Sequence, residues 1–164
     1  MNTGNDIVQQ QDLDFMAKAI ILAKKGERLG EVPIGAVIVD ENGLIIASAT
    51  NLREKNTSVI CHAEIIALHR ACKKQKSWRL NGCTLYVTLE PCFMCAGALV
   101  QSRISKVVFG TLDPKGGALG SLCNLAADSR LNHNFPVLGG VRAEECSALL
   151  KKFFKAKRKL KKIT

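Results

Sequence analysis

Residues 84–110 read TLYVTLEPCFMCAGALVQSRISKVVFG, and the order of elements in this stretch decides the fold. Thr84–Thr88 has the composition of a strand, Cys92–Ser102 places apolar residues at helical spacing, and Lys106–Gly110 is a second β-rich run. Upstream, His62–Lys74 is again helical in pattern. Before it lie Ile34–Val39 and Leu44–Ser48, joined by Asp40-Glu41-Asn42-Gly43; Asn-Gly is a strong turn signal, so the pair predicts a hairpin. From Asp12 to about Gly26, Leu13, Met16, Ala17, Ile20, Ile21 and Ala23 follow helical spacing, with Asp12 placed to cap the helix. Strands and helices that alternate in this way predict an α/β fold, a sheet covered by helices.

Downstream of Gly110 the chain is harder to read. GTLDPKGGALGS (110–121) is a glycine-rich loop, the stretch to about Asn134 has no clear period, and Val137–Val141 predicts a short last strand. A long helix is expected over about 142–162. Leu149, Phe153, Ala156 and Leu160 give it an apolar stripe, and Lys151, Lys155, Arg158, Lys159 and Lys162 give it a basic one.

The bulk properties set bounds. A chain of 164 residues, 47% hydrophobic and 23% charged, is expected to form one domain over residues 1–164 around a continuous core. The longest apolar runs, Gly35–Val39 and Leu44–Ala47, are far shorter than the roughly 18 residues that suggest a membrane span. No leader is apparent in the polar first eleven residues, so the expected location is the cytoplasm, with no membrane partner. The formal charge of +10 is local: eight basic residues and no acidic one lie between Lys151 and Lys162. With those eight taken from the 24 basic residues of the chain, 16 remain against 14 acidic.

Seven cysteines do not make a disulfide framework, because only Cys92 and Cys95 fall at a metal-ligand spacing. Cys61, Cys72, Cys83, Cys123 and Cys146 are expected to be small, mostly buried residues. His62-Ala63-Glu64 is followed 27 residues after the glutamate by Pro91-Cys92-Phe93-Met94-Cys95. His-x-Glu with Pro-Cys-x-x-Cys is the signature of the zinc nucleobase deaminases, which use His/Cys/Cys ligands and a glutamate that does not bind the metal. Cys92 and Cys95, three apart at a helix start, present their sulfurs to one ion, and the helix N-terminus favours thiolate over thiol. Three ligands leave one tetrahedral position for water, which is a catalytic arrangement, and Glu64 is placed to take a proton from that water and deliver it to the base. The bland alternatives are a structural zinc knuckle, or reduced core cysteines beside a surface His-Glu pair. His69 does not supply a fourth ligand, since seven residues along a helix is about 10.5 Å. It is expected to be packed or hydrogen-bonded, and Cys61 is a possible stray ligand.

In order and spacing, GEVPIGAVIVD (30–40), CHAEIIAL (61–68), residues 84–110, DPKGGALGSL (113–122) and AEECSALLKKFFKAKR (143–158) resemble the bacterial tRNA adenosine deaminases of the cytidine deaminase superfamily. The resemblance implies a three-layer α/β/α fold with a mixed five-stranded sheet. It also implies a homodimer, one zinc per chain on His62, Cys92 and Cys95, Glu64 as proton shuttle, and action on the wobble adenosine of a tRNA anticodon loop. Asn51, Ala63 and Asp113 fall at substrate-binding positions, with Asp113 on a loop near the RNA backbone. Lys151, Lys155, Arg158 and Lys159 are candidates for RNA phosphates. The chain departs from the family at Ser58-Val59-Ile60-Cys61, where an Asp-Pro-Thr-Ala-like run is common, and at Pro114. Two other functions stay open: a deaminase of free bases or nucleosides, which needs no polycation, and a silent zinc-bearing RNA-binding module, which needs no Glu64.

Overall fold

The computed structural model describes residues 7–162. Met1–Asp6, on which the expectation of no leader partly rests, lie outside the described residues. The elements in order are α1 (Gln10–Arg28), β1 (Gly35–Val39), β2 (Ile45–Thr50), α2 (Ala63–Gln75), β3 (Thr84–Leu89), α3 (Phe93–Gln101), β4 (Lys106–Thr111), a single 3₁₀ turn (Leu125–Ala127), β5 (Val137–Leu138) and α4 (Ala143–Lys161).

The strands form one sheet in the order β2-β1-β3-β4-β5. β1 pairs antiparallel with β2 and β3, while β3–β4 and β4–β5 are parallel, so the sheet is mixed as expected. Alternation along the strands divides the core in two. Ala36, Ile38, Leu85, Val87, Val107 and Phe109 pack with Ala67 and Leu68 of α2 and Ala96 and Leu99 of α3. Val37, Val39, Tyr86 and Val108 pack with Met16 and Ile20 of α1 and Cys146 of α4. The result is the three-layer α/β/α arrangement. Leu85 and Leu99 are fully buried, and each such side chain contributes roughly 1.5–3 kcal/mol. α1 lies so close to the sheet that a Cβ on Gly35 would meet the Ala19 carbonyl oxygen at 2.0 Å. The hairpin turn is also as expected: Gly43 has φ +78°, and Asp40 Oδ1 accepts the amides of Asn42 and Leu44, each at 2.9 Å.

Four expectations are corrected. Asp12 is not the cap of α1; Gln9 is, and Asp12 sits in the first turn, wholly buried. Its carboxylate accepts the Tyr86 hydroxyl at 3.0 Å and the Gln9 amide at 3.1 Å, with Lys106 Nζ at 3.8 Å. The last strand ends at Leu138, not Val141, because the backbone turns at Gly140, φ +88°, to enter α4. The apolar stripe of α4 meets the core only through its first half: Cys146 is buried and Leu149 packs beside it, whereas Ala156 and Leu160 are exposed. Of the five cysteines expected inside, only Cys83 and Cys146 are buried; Cys61, Cys72 and Cys123 are half-buried.

Candidate active site

Two helix N-termini converge on one point. His62 caps α2 and Cys92 caps α3, both in extended backbone, and Cys95 follows one turn into α3. Each cap residue's carbonyl receives the first helical amide, from Ile66 at 3.0 Å and from Ala96 at 2.8 Å, which fixes the side chains at the helix mouths. His62 Nδ1 lies 3.7 Å from Cys92 Sγ and 3.5 Å from Cys95 Sγ. All three ligand atoms lie within 4.8 Å of one another, so the cluster can hold one metal ion. Cys61 is not in it: its sulfur accepts from the Asn56 side-chain amide at 3.4 Å. His69, expected to be packed or hydrogen-bonded, is exposed on the outer face of α2, so it is not packed.

The protonation of the cluster fits a cation. The hydrogen bond with Cys95 draws the Cys92 thiol down to about 4, helped by His62 and opposed by burial. The same bond, together with burial, raises Cys95, and the bond to Cys92 raises His62 against burial. A thiolate thus sits among protons that a divalent ion would displace, and soft sulfur with imidazole is the donor set of zinc.

Glu64, in the first turn of α2, is 4% exposed. Burial is the main cause that pushes its carboxyl up to about 7, opposed by a backbone hydrogen bond and by His62. Its Oε2 is the buried side-chain polar atom that has no hydrogen-bond partner among the described residues. An orphaned buried acceptor costs free energy unless a ligand completes it, and none of the described residues completes this one.

The remaining expected residues separate into groups. Asn51, 5% exposed, follows β2; its side chain donates to the Val32 carbonyl at 3.4 Å and accepts the Arg53 amide at 3.3 Å. The next residue, Leu52, donates to the carbonyl of Cys61 at 3.0 Å, which ties this loop to the residue before His62. Ala63 is fully buried, and as the first residue of α2 it has a backbone N–H with no partner inside the helix. Asp113 is half-buried and accepts the Lys115 and Gly116 amides at 3.1 Å each, shaping its own turn. Asp113 also lines a groove of about 700 Å³ together with Val32, Phe154, Lys151, Lys155 and Arg158. Lys159 does not line it.

Two glutamates were not singled out by sequence reasoning. Glu31, fully buried, accepts the Glu54 amide at 3.1 Å and the Lys55 amide at 2.7 Å. Glu90, 1% exposed, accepts the amides of Asp113, Leu119 and Ser121 and the Ser121 hydroxyl. Burial raises its carboxyl, but the Ser121 and backbone donors outweigh that and hold it below the usual range. The only signal in the sequence was an acid placed among apolar residues just before Val32-Pro33 and Pro91.

Comparison with known proteins shows the family of the chain. The MafB19-like deaminase family matches residues 10–158. A tRNA-specific adenosine deaminase of Bacillus subtilis is 57% identical over 93% of this chain and 94% of its own length. One from Haemophilus influenzae is 49% identical over 93% and 88%. A solved structure from work on A-to-I editing by tRNA:A34 deaminases at the wobble position superposes with a TM-score of 0.80 at 39% identity, covering 84% of this chain and 99% of that one. The chain therefore belongs to the MafB19-like deaminases and to the family of the tRNA-specific adenosine deaminases.

Proposed function

We propose that this protein is a zinc-dependent hydrolase that converts adenosine to inosine at the wobble position of a tRNA anticodon loop. The observation that carries the reading is the buried Oε2 of Glu64, unpartnered among the described residues, on the residue two after His62 of the three-residue cluster that can hold a metal. His62, Cys92 and Cys95 hold one zinc per chain, and the metal supplies the acidity that makes water nucleophilic near neutral pH. Glu64 stays off the metal. Its Oε2 takes one proton of the attacking water and delivers it to N1 of the purine ring. It then takes the second, from the hydroxyl now on the attacked carbon, and delivers it to the amine, which leaves as ammonia when the C–N bond breaks; a carboxyl poised near 7 suits both transfers.

The other residues hold the substrate. The Asn51 amide and the Ala63 N–H orient the base, and Asp113 meets the ribose-phosphate chain on its loop. Lys151, Lys155 and Arg158 line one groove with exposed Phe154, which provides cations for phosphates beside a ring on which a base can stack. An anticodon loop can splay its bases outward, so a pocket enzyme reaches the target carbon without opening a duplex.

The active form is a homodimer of single-domain chains in the cytoplasm. Exposed Val59, Ile60, Trp78 and Phe93 provide apolar surface for a second copy. No described helix is long and apolar enough to cross a membrane. The test is incubation with total tRNA followed by nucleoside analysis: inosine should form at the wobble position. Conversion of free bases or nucleosides with no inosine in tRNA would overturn the reading.

A further inference from the structure

Three successive residues, Glu90, Pro91 and Cys92, each hold the glycine-rich loop by a different group. The Glu90 carboxylate accepts Asp113 N at 3.0 Å, Leu119 N at 3.1 Å and Ser121 N at 2.9 Å, and also the Ser121 hydroxyl. The Pro91 carbonyl accepts Ala118 N at 2.9 Å. Cys92 and Gly117 form an antiparallel β-bridge. The fit is close: a Cβ on Gly117 would lie 2.2 Å from the carboxyl carbon of Glu90. Four donors converge on a buried carboxylate, and the donors are spread over nine residues of loop, from one end to the other.

A loop that reaches the core only through its middle, here Ala118 and Leu119, is expected to open at its ends at low cost. This one cannot do so without exposing a desolvated charge, which binds backbone amides more strongly than a neutral acceptor would. Asp113 and Lys115, which line the groove, are on the clamped segment. We propose that Glu90 is a positioning residue for the reaction: it holds the loop of residues 113–121, and with it the substrate groove, in register with the metal ligand Cys92. The inference rests on the tRNA-editing reading for its effect on substrate, though not for the clamp itself.

The variant Glu90→Gln keeps the shape but turns an amide NH₂ toward amide donors. Ser121→Ala removes one donor and leaves the charge. In zinc-loaded Glu90→Gln, amide hydrogen exchange at residues 113–121 should accelerate at least tenfold, with α1 and β1 unchanged. Zinc content should stay at one per chain, and the Kd for an anticodon stem-loop should rise at least tenfold. In Ser121→Ala the same amides should accelerate about threefold. A role in stability alone would lower the melting midpoint and leave stem-loop affinity unmoved in the folded protein.

Unchanged exchange at 113–121 in Glu90→Gln overturns the proposal, as does faster exchange with unchanged Kd. If Glu90→Gln does not fold, Ser121→Ala decides, and unchanged exchange there overturns it. Should the wild-type protein fail to edit the stem-loop, the functional reading fails, while the exchange measurement still tests the clamp.

Discussion

Nδ1 of His62, at the mouth of α2, lies 3.5 Å from the sulfur of Cys95 in α3, and no covalent link joins the two helices there. A metal ion bound at this point ties α2 to α3, so its binding energy becomes folding energy. Cys95→Ala should lose the zinc and lower the melting midpoint of the loaded protein to that of the chelator-treated wild type. Metal analysis and thermal unfolding read the two effects. Full zinc occupancy in Cys95→Ala would remove it from the ligand set.

Glu64→Gln tests proton transfer apart from coordination. The amide fills the same space, and the carboxylate is not one of the clustered ligands. Zinc content and tRNA affinity should stay within about twofold of wild type, while turnover falls by roughly 10²–10⁴. Activity above about a tenth of wild type would assign the proton to another group.

Such tests can be designed from the sequence because the grouping of His62, Cys92 and Cys95, which can hold a metal ion, was legible in it. His62, Glu64, Cys92 and Cys95 sit at helix starts within short motifs, where local spacing dictates three-dimensional placement. β1 and β3 were legible for the same reason, since a short run of buried, largely apolar residues rich in Val, Ile, Thr and Tyr leaves few alternatives. What was missed depends on partners far along the chain. Glu31 and Glu90 bind the backbone amides of loops 23 to 31 residues away, and amides leave no mark in a sequence. Asp12 reads as a helix cap until its partner Tyr86, 74 residues on, is known. The stripe of α4 overruns the core because a helical pattern does not record where the sheet beneath it ends.

The Asp12–Tyr86 pair gives a prediction about stability without chemistry. Tyr86→Phe keeps the ring packed but withdraws a hydroxyl that lies 3.0 Å from a fully buried carboxylate. Leaving that acceptor short of a donor should cost about 1–3 kcal/mol. For a domain of this size that is roughly 2–4 °C in melting midpoint per kcal/mol. Zinc content and deamination at 25 °C should be unchanged. An unchanged midpoint would mean that Lys106 and the Gln9 amide satisfy Asp12 without the phenol.

The C-terminal helix separates an RNA enzyme from a small-molecule one, and its cations are not equivalent, although Lys159 shares a second hollow with Lys151 and Lys155. Lys151, Lys155 and Arg158 line the groove that also contains Asp113, whereas Lys159 lies outside that groove. Each phosphate contact releases condensed counterions, so losing one contact should make the salt dependence of binding shallower by roughly 0.7–0.9 log units. Lys151→Gln, Lys155→Gln and Arg158→Gln should each weaken tRNA binding and flatten that slope. Lys159→Gln should do neither to a comparable extent, although the formal charge removed is the same. The comparison matters because a lysine-rich helix end raises affinity for any polyanion through its summed field, and such an effect would not distinguish the four positions. Equal losses at all four would make the helix a diffuse attractor. Losses confined to the three groove residues, with zinc content unchanged, would locate the bound RNA between α4 and the loop that carries Asp113.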